Sequence, residues 1–373
     1  MCENDPDLNK LYNWDKDFVW HAFTQMAEYE PLLIERGEGV YLFDTDGNRY
    51  IDGSASMWCN VHGHRHPRLD AAISNQLTKV AHTTNLGLSN PTTVHLAQRL
   101  AEITPSGLEK VFFSSDGSSA IEAALKIAFQ YWHQSEREES VPSTYQTSQR
   151  RKFVSLGEAY HGDTLGAIGV GGVDRFTSIF SPLTFDAIRV AGPGMTASLS
   201  STGDGGPRLD ASSQTTTAAA TLSELENLFK NQGHEIAALI MEPLVQAAGG
   251  ILVHPPGFLR AVRKLTHRFN ILLILDEIAV GFGRTGTMFA CEQEHVSPDI
   301  LCLGKGLTAG YLPMAATITT TQIWQQFLGS HKDGRAFYHG HTFGGNPLAA
   351  AVALESLNLF EDCLLYTSDA ADE

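Results

Sequence analysis

Ile271-Leu272-Leu273-Ile274-Leu275-Asp276-Glu277 is a run of five large apolar residues closed by two acids. It shows neither the spacing of a half-buried helix nor the alternation of a half-exposed strand, so it reads as a strand buried on both faces. Strands of that kind belong to parallel sheets covered by helices on both sides. Asp276 then stands at the carboxyl end of its strand, the edge where open α/β sheets hold their ligands.

Working outward, short apolar runs recur at Lys110 to Phe113, Phe153 to Leu156, Ile236 to Met241 and Ile300 to Leu303. Helical patterns separate most of them, as at Ser119 to Trp132 and Gly257 to Phe269. The alternation predicts an α/β chain with a mostly parallel sheet. Upstream, Leu69, Ile73, Leu77 and Val80 share one face of a helix over Arg68 to Val80, and a second helix runs from Thr93 to Ile103, ended by Pro105. Two apolar runs, Val40 to Asp44 and Arg49 to Asp52, flank Asp46-Gly47-Asn48 and predict a hairpin. Pro142 to Arg150 is polar, and Met195 to Thr221 is rich in Ser, Thr, Ala and Gly; both read as loops.

The 373 residues carry 26 Lys and Arg against 42 Asp and Glu, a net charge of −16. So acidic a chain has no general attraction to nucleic acid or to anionic membrane. No apolar run reaches membrane-spanning length, and the first residues show neither a basic start nor an apolar core. Five scattered cysteines without Cys-x-x-Cys spacing argue against a disulfide framework and for a reducing cytoplasm.

Candidate chemistry gathers at the predicted strand ends. Ser114-Ser115-Asp116-Gly117-Ser118-Ser119 opens a helix, where free backbone N–H groups suit a phosphate; the same residues are also ordinary N-cap chemistry. Asp276 is placed either to meet a cationic ring nitrogen or to cap the next helix. Gly304-Lys305-Gly306 follows another strand, and a lysine there is either a nucleophile towards aldehydes or a surface residue. Tyr160, in Tyr160-His161-Gly162-Asp163, either stacks on a planar ring or packs in the core. The loop Tyr338 to Pro347 offers the hydroxyl of Thr342 or is a plain turn. His62-Gly63-His64-Arg65-His66 alternates histidines, but no carboxylate or cysteine lies at matching spacing, and no metal site is expected. Taken together, a phosphate cradle, a stacking aromatic, a strand-end aspartate and a glycine-flanked lysine describe a site for pyridoxal 5′-phosphate.

These residues resemble the class III, fold-type I aminotransferases over about Trp20 to Glu361, and Leu275 to Gly286 resembles the signature segment of that family. The resemblance implies a large cofactor domain with a smaller α+β domain: 1–67 as the N-terminal part of the small domain, 68–345 as the large domain, and 346–362 as the start of the C-terminal part. It implies that Lys305 forms the Schiff base and shuttles the proton, that Gly117 and Ser118 bind phosphate, and that Asp276 meets the ring nitrogen. Tyr160 and Ile278 would lie against the ring, with His161 and Glu242 close by. Thr342, with His341, would reach the phosphate of a neighbouring subunit, so an obligate homodimer is implied. Phe23, Met57, Trp58, Tyr160, Arg284, Lys305 and Gly340 would line the substrate side.

Trp20-His21, His62-Gly63-His64 and Asp299 to Lys305 narrow the likeness to the branch that converts 8-amino-7-oxononanoate to 7,8-diaminononanoate in biotin biosynthesis. The amino donor there is S-adenosylmethionine or lysine. Met57 stands where well-known members have a tryptophan and Phe23 where they have a tyrosine; with Leu88 and Gly310 to Pro313 these departures look more like the lysine-using branch. Other class III ω-amino acid or diamine transaminases are the alternative within the family. Family members also continue for several tens of residues and supply an arginine for the substrate carboxylate. Here Cys363 to Glu373 resembles out-of-place sequence that does not pack, so a cofactor-binding fragment without turnover is the remaining alternative.

Overall fold

In the computed structural model, which describes residues 8–135, 148–194 and 217–362, the strands follow one another as β1 (Ile34–Glu38), β2 (Tyr41–Asp44), β3 (Arg49–Ile51), β4 (Leu108–Ser114), β5 (Lys152–Leu156), β6 (Ile188–Val190), β7 (Ile236–Met241), β8 (Val245–Gln246), β9 (Leu252–Val253), β10 (Leu272–Asp276), β11 (Ile300–Leu303) and β12 (Ala315–Thr320). Seven of them make one sheet in the order β4-β12-β11-β10-β7-β5-β6. The apolar run at 271–275 becomes β10 at its centre, shifted by one residue to take in Asp276. Ile274 and Leu275 pair in parallel with Ile240 and Met241 on one side and with Ile300 and Leu301 on the other.

Both faces are covered, as the continuous apolar pattern requires. Leu273, Leu275, Leu301 and Leu303 enter a core with Leu96, Leu225, Phe229 and Leu259. Leu272, Ile274, Ile300 and Cys302 enter the opposite core with Ile121, Ala124, Ala128 and Trp132 of the helix Gly117–Ser135. Neighbours along each strand thus alternate between two cores, and each fully buried large apolar side chain contributes about 1.5–3 kcal/mol.

The sheet is not wholly parallel. β12 runs antiparallel to both β11 and β4. Its sequence, Ala-Ala-Thr-Ile-Thr-Thr, lacks the bulky run that marks the other strands. The segment read as a loop to Thr221 ends sooner than that: Thr217 caps a helix over Ala218–Gln232 by accepting from Ala220 N at 3.2 Å. The rest of that segment, like 142–147 and 363–373, lies outside the described residues.

The predicted hairpin is β2 and β3, paired Tyr41 to Ile51, with β1 added on the free edge of β2. Asp44 fixes its turn by accepting from Asp46 N, Asn48 N and Tyr50 Oη at 3.0, 2.8 and 2.8 Å. The two predicted upstream helices are Pro67–Leu77 and Pro91–Ile103, each beginning with proline behind a side-chain cap. The helix Pro347–Asp362 places Ala349, Ala350, Ala353, Leu357 and Phe360 in the same core as Leu96 and Leu100. Among the described residues no helix is long and apolar enough to cross a membrane.

Candidate active site

The carboxyl edge of the sheet collects the side chains in question. β4 leads into Ser115 to Ser119, β5 into Tyr160 and His161, β7 into Glu242, and β11 into Lys305, while β10 ends in Asp276 itself. Residues as far apart in sequence as His161 and Asp276 meet because their strands run the same way through one sheet.

Asp276 is 4% exposed, and its Oδ2 lies 2.8 Å from Nδ1 of His161, itself 2% exposed. Asp276 Oδ1 accepts from Ile278 N at 3.1 Å, so both oxygens are oriented. The other ring nitrogen of His161, Nε2, is buried without a hydrogen-bond partner among the described residues. Glu242 lies behind Tyr160, taking the amides of Tyr160 and Ala247 at 3.1 and 2.9 Å. Burial pushes its carboxyl up to about 7, with the charge of His161 opposing the shift.

The helix start keeps both readings of its sequence. Asp116 caps it, accepting from the amide and hydroxyl of Ser119 at 2.9 and 2.8 Å. The first amides of an α-helix, here those of Gly117 and Ser118, have no intrahelical acceptor. Gly117 serves close approach rather than a left-handed turn: a Cβ there would meet Ile278 Cγ2 at 3.0 Å. Gly304 faces the same side chain, at 3.3 Å. Ile278 therefore sits between the cradle and the lysine loop. Gly162, at φ +120°, leaves no room for a Cβ beside Ser118 Oγ, whose oxygen accepts from Asp163 N at 3.3 Å.

Lys305 is half-buried, with its own φ at +44°. Its Nζ lies 4.6 Å from the centroid of the Trp58 ring. Burial holds its amine below the usual lysine range, partly offset by the negative field of Asp276, Cys59 and Glu242. Arg284 donates from Nη2 to the Trp58 carbonyl at 3.2 Å. The Tyr160 hydroxyl donates to Asp163 at 2.7 Å, and burial with that bond raises its pKa. Phe176, absent from the sequence reading, links Tyr160 at 6.1 Å to Phe23 at 5.2 Å between ring centroids. Phe23 and Met57 are 72% and 64% exposed.

His341 lies in the site, accepting from Ser115 N of its own chain at 2.8 Å. That bond places the His341 ring beside this chain's own helix start. Thr342 is exposed, and a Cβ on Gly340 would meet open space. The three alternating histidines take different hydrogen-bond partners, although the rings of His62 and His66 lie 6.3 Å apart. His62 meets Ser356 Oγ at 3.1 Å, His64 meets Asp52 at 2.9 Å, and His66 caps Pro67–Leu77.

Such a site fits a planar, phosphate-bearing, cationic ring carrying an aldehyde. The helix amides suit the phosphate, the oriented carboxylate of Asp276 suits the ring nitrogen, and the low-pKa amine of Lys305 suits the aldehyde. The sequence profile of the family Aminotransferase class-III matches residues 24–372, and the chain belongs to that family. The match extends into 363–373, the tail read from sequence as foreign to it.

Its relatives narrow the comparison. The chain is 48% identical over 365 residues to the adenosylmethionine-8-amino-7-oxononanoate aminotransferase of Aquifex aeolicus, covering 97% of this chain and 76% of that one. It is 47% identical over 355 residues to the enzyme of the same name from Staphylococcus aureus, covering 94% and 75%. The solved structure of the Methanocaldococcus jannaschii enzyme of that name superposes with a TM-score of 0.84 at 40% identity, covering 96% of this chain and 76% of that one. An (S)-enantioselective ω-transaminase from Thermomicrobium roseum also superposes at 0.84, with 34% identity and the same coverage. The fold is the α/β fold of the fold-type I aminotransferases.

Proposed function

We propose that this chain transfers an amino group to 8-amino-7-oxononanoate, giving 7,8-diaminononanoate, with pyridoxal 5′-phosphate as cofactor. The observation that carries the reading is the half-buried Lys305 amine beneath Trp58, at the same sheet edge as the Asp276–His161 pair. The 48% identity to a curated relative of that activity supports the substrate.

The cofactor, when bound, supplies an electron sink for the carbon that gains or loses the amine. The protein supplies everything else. Asp276, held by His161 and by the Ile278 amide, would offer an oriented carboxyl group to the ring nitrogen of the bound cofactor. The amides of Gly117 and Ser118 receive the phosphate. Lys305 Nζ carries the proton to and from the reacting carbon, and burial, which lowers its pKa, favours the free base more than in an exposed lysine. Tyr160, Phe176 and Phe23 form an apolar wall suited to a long methylene chain, and the Trp58 ring lies against Lys305.

The amino donor is S-adenosylmethionine or lysine, and Phe23 with Met57 favours lysine. The 338–343 loop exposes Tyr338 and Phe343, at 68% and 59%, beside Gly340 and Thr342, which supports a homodimer with its active sites at the subunit interface. Cys59, Cys291 and Cys302 are free thiols, in keeping with a cytoplasmic setting. The purified chain is tested with 8-amino-7-oxononanoate and with S-adenosylmethionine, lysine or an ω-amino acid as donor, with product followed by mass spectrometry. Formation of 7,8-diaminononanoate with one of the first two donors is expected. Turnover of ω-amino acids and simple ketones alone would move the assignment to the ω-transaminase reading that the Thermomicrobium roseum structure favours.

A further inference from the structure

Ala55, Ser56, Met57 and Trp58 all have positive φ, at 50°, 47°, 66° and 67°. Trp58 N donates to Ser54 O and Cys59 N to Ala55 O, each at 2.8 Å. This is one turn of left-handed helix, built without a glycine. An L-residue in that conformation presses its Cβ against the following carbonyl, so four in succession are not selected by their own backbone. Such a turn persists only where its surroundings hold it.

The surroundings converge on Asp52. Its Oδ1 accepts from Ser56 N at 3.0 Å and Ser54 Oγ at 3.3 Å. Its Oδ2 takes Ser56 Oγ at 2.7 Å and lies 2.9 Å from His64 Nε2. Asn60 Nδ2 lies 3.1 Å from His64 Nδ1 and steadies that ring. Arg284 holds the far end of the turn through the Trp58 carbonyl.

We propose that Asp52, oriented by His64, is a positioning residue of the reaction: it holds the left-handed turn that sets the Trp58 ring over the Lys305 amine. Asp52 acts through Trp58 and touches none of the reacting atoms. The proposal rests on the reading of Lys305 as the reactive amine.

The test is Asp52→Asn, which keeps the size of the side chain but leaves one acceptor oxygen in place of two. In the cofactor-loaded protein, the KM for the amino donor that the parent uses rises about tenfold, while borohydride still fixes pyridoxal phosphate on Lys305 to the parent's extent. In the cofactor-free protein, formaldehyde and borohydride methylate Lys305 several-fold faster, read by peptide mass spectrometry, because Trp58 no longer covers it. Adding Ala55→Gly restores both values towards the parent, since glycine takes the left-handed conformation without a steric penalty. Ser56→Ala shifts both in the same direction by less, and it serves if Asp52→Asn does not fold. Donor KM and labelling rate within about twofold of the parent, or a shift that Ala55→Gly leaves untouched, would overturn the proposal. A parent chain that fixes no cofactor on Lys305 overturns the reading of Lys305 instead, and the labelling rates alone then decide whether Asp52 holds Trp58 in place.

Discussion

The site has two halves built on opposite plans. The cofactor half, Asp276, His161, Glu242 and the helix start at Gly117, hangs from the ends of parallel strands whose side chains fill two cores. Asp276, His161 and Glu242 are all under 5% exposed, and most of their polar atoms are paired. The substrate half, Phe23, Met57 and Trp58, comes from a segment outside that sheet. Phe23 touches the site through one aromatic neighbour, and Trp58 rides on a turn its own backbone disfavours. On the proposed function, the chemistry is thus fixed by sheet geometry, while the part proposed to choose the substrate is held by a few replaceable contacts.

If the buried, paired geometry of the cofactor half serves the chemical step, its substitutions act on rate. The largest effect belongs to Lys305→Ala, which removes the amine placed beside Trp58. Transamination should fall by at least about a thousandfold, with borohydride-fixed cofactor lost from the peptide that carries residue 305. Residual turnover within about tenfold of the parent would show that Lys305 is not the reactive amine.

Next comes Asp276→Asn, which keeps the hydrogen bonds to Ile278 and His161 within reach but removes the charge. The rate should fall by about a hundredfold or more, with little change in donor KM. A change confined to KM would mean that Asp276 serves binding and not the chemical step.

Much of the cofactor half is legible in the sequence, for a physical reason. A buried parallel strand needs an unbroken apolar run, and the residue that ends the run is delivered to the ligand edge. The apolar runs Ile236 to Met241 and Ile300 to Leu303 coincide with the observed strands, and Glu242 and Lys305 follow from them. The pairing of His161 with Asp276 is not legible, because contact across 115 positions depends on strand order and not on spacing. β12 escapes because alanine and threonine carry no strong apolar signal, and the antiparallel direction it introduces escapes with it. The left-handed turn at Ala55 to Trp58 leaves no mark in the sequence, since glycine or asparagine would be its signal and neither is present. Phe176 joins the site through a short helical turn, Asp174–Thr177, that no periodicity announces.

The scaffold beneath the cofactor half offers a test by pH. Gln246 donates to the Gly157 carbonyl at 2.7 Å, bracing the chain that leads to Tyr160. His254 lies 3.2 Å from Gln246 Oε1 through Nε2, while its Nδ1 is buried and unpaired among the described residues. Burial pushes its pKa from 6.5 down to about 4. The folded state therefore resists the proton that the unfolded state takes up, and the stability linked to this group is present above pH 6.5 and lost as the pH falls through 4. The loss is on the order of 3 kcal/mol. Urea midpoints measured from pH 7.5 to 4.5 should fall accordingly, and His254→Gln should flatten the slope. An unchanged slope would place the acid sensitivity elsewhere.

The smallest effect, Phe23→Ala, tests the other half. Phe23 is 72% exposed, so its loss should move stability by no more than about 0.5 kcal/mol. Its contact with Phe176 nevertheless continues the apolar wall that begins at Tyr160. The KM for 8-amino-7-oxononanoate should rise several-fold with kcat held, because the lost contact is made equally before and during the chemical step. Phe23→Tyr should keep the keto-acid KM and alter only the relative use of S-adenosylmethionine and lysine, since it adds a hydroxyl at the rim without removing the ring. A fall in kcat for either variant would show that the N-terminal segment does more than shape the pocket, and the separation of the two halves would have to be withdrawn.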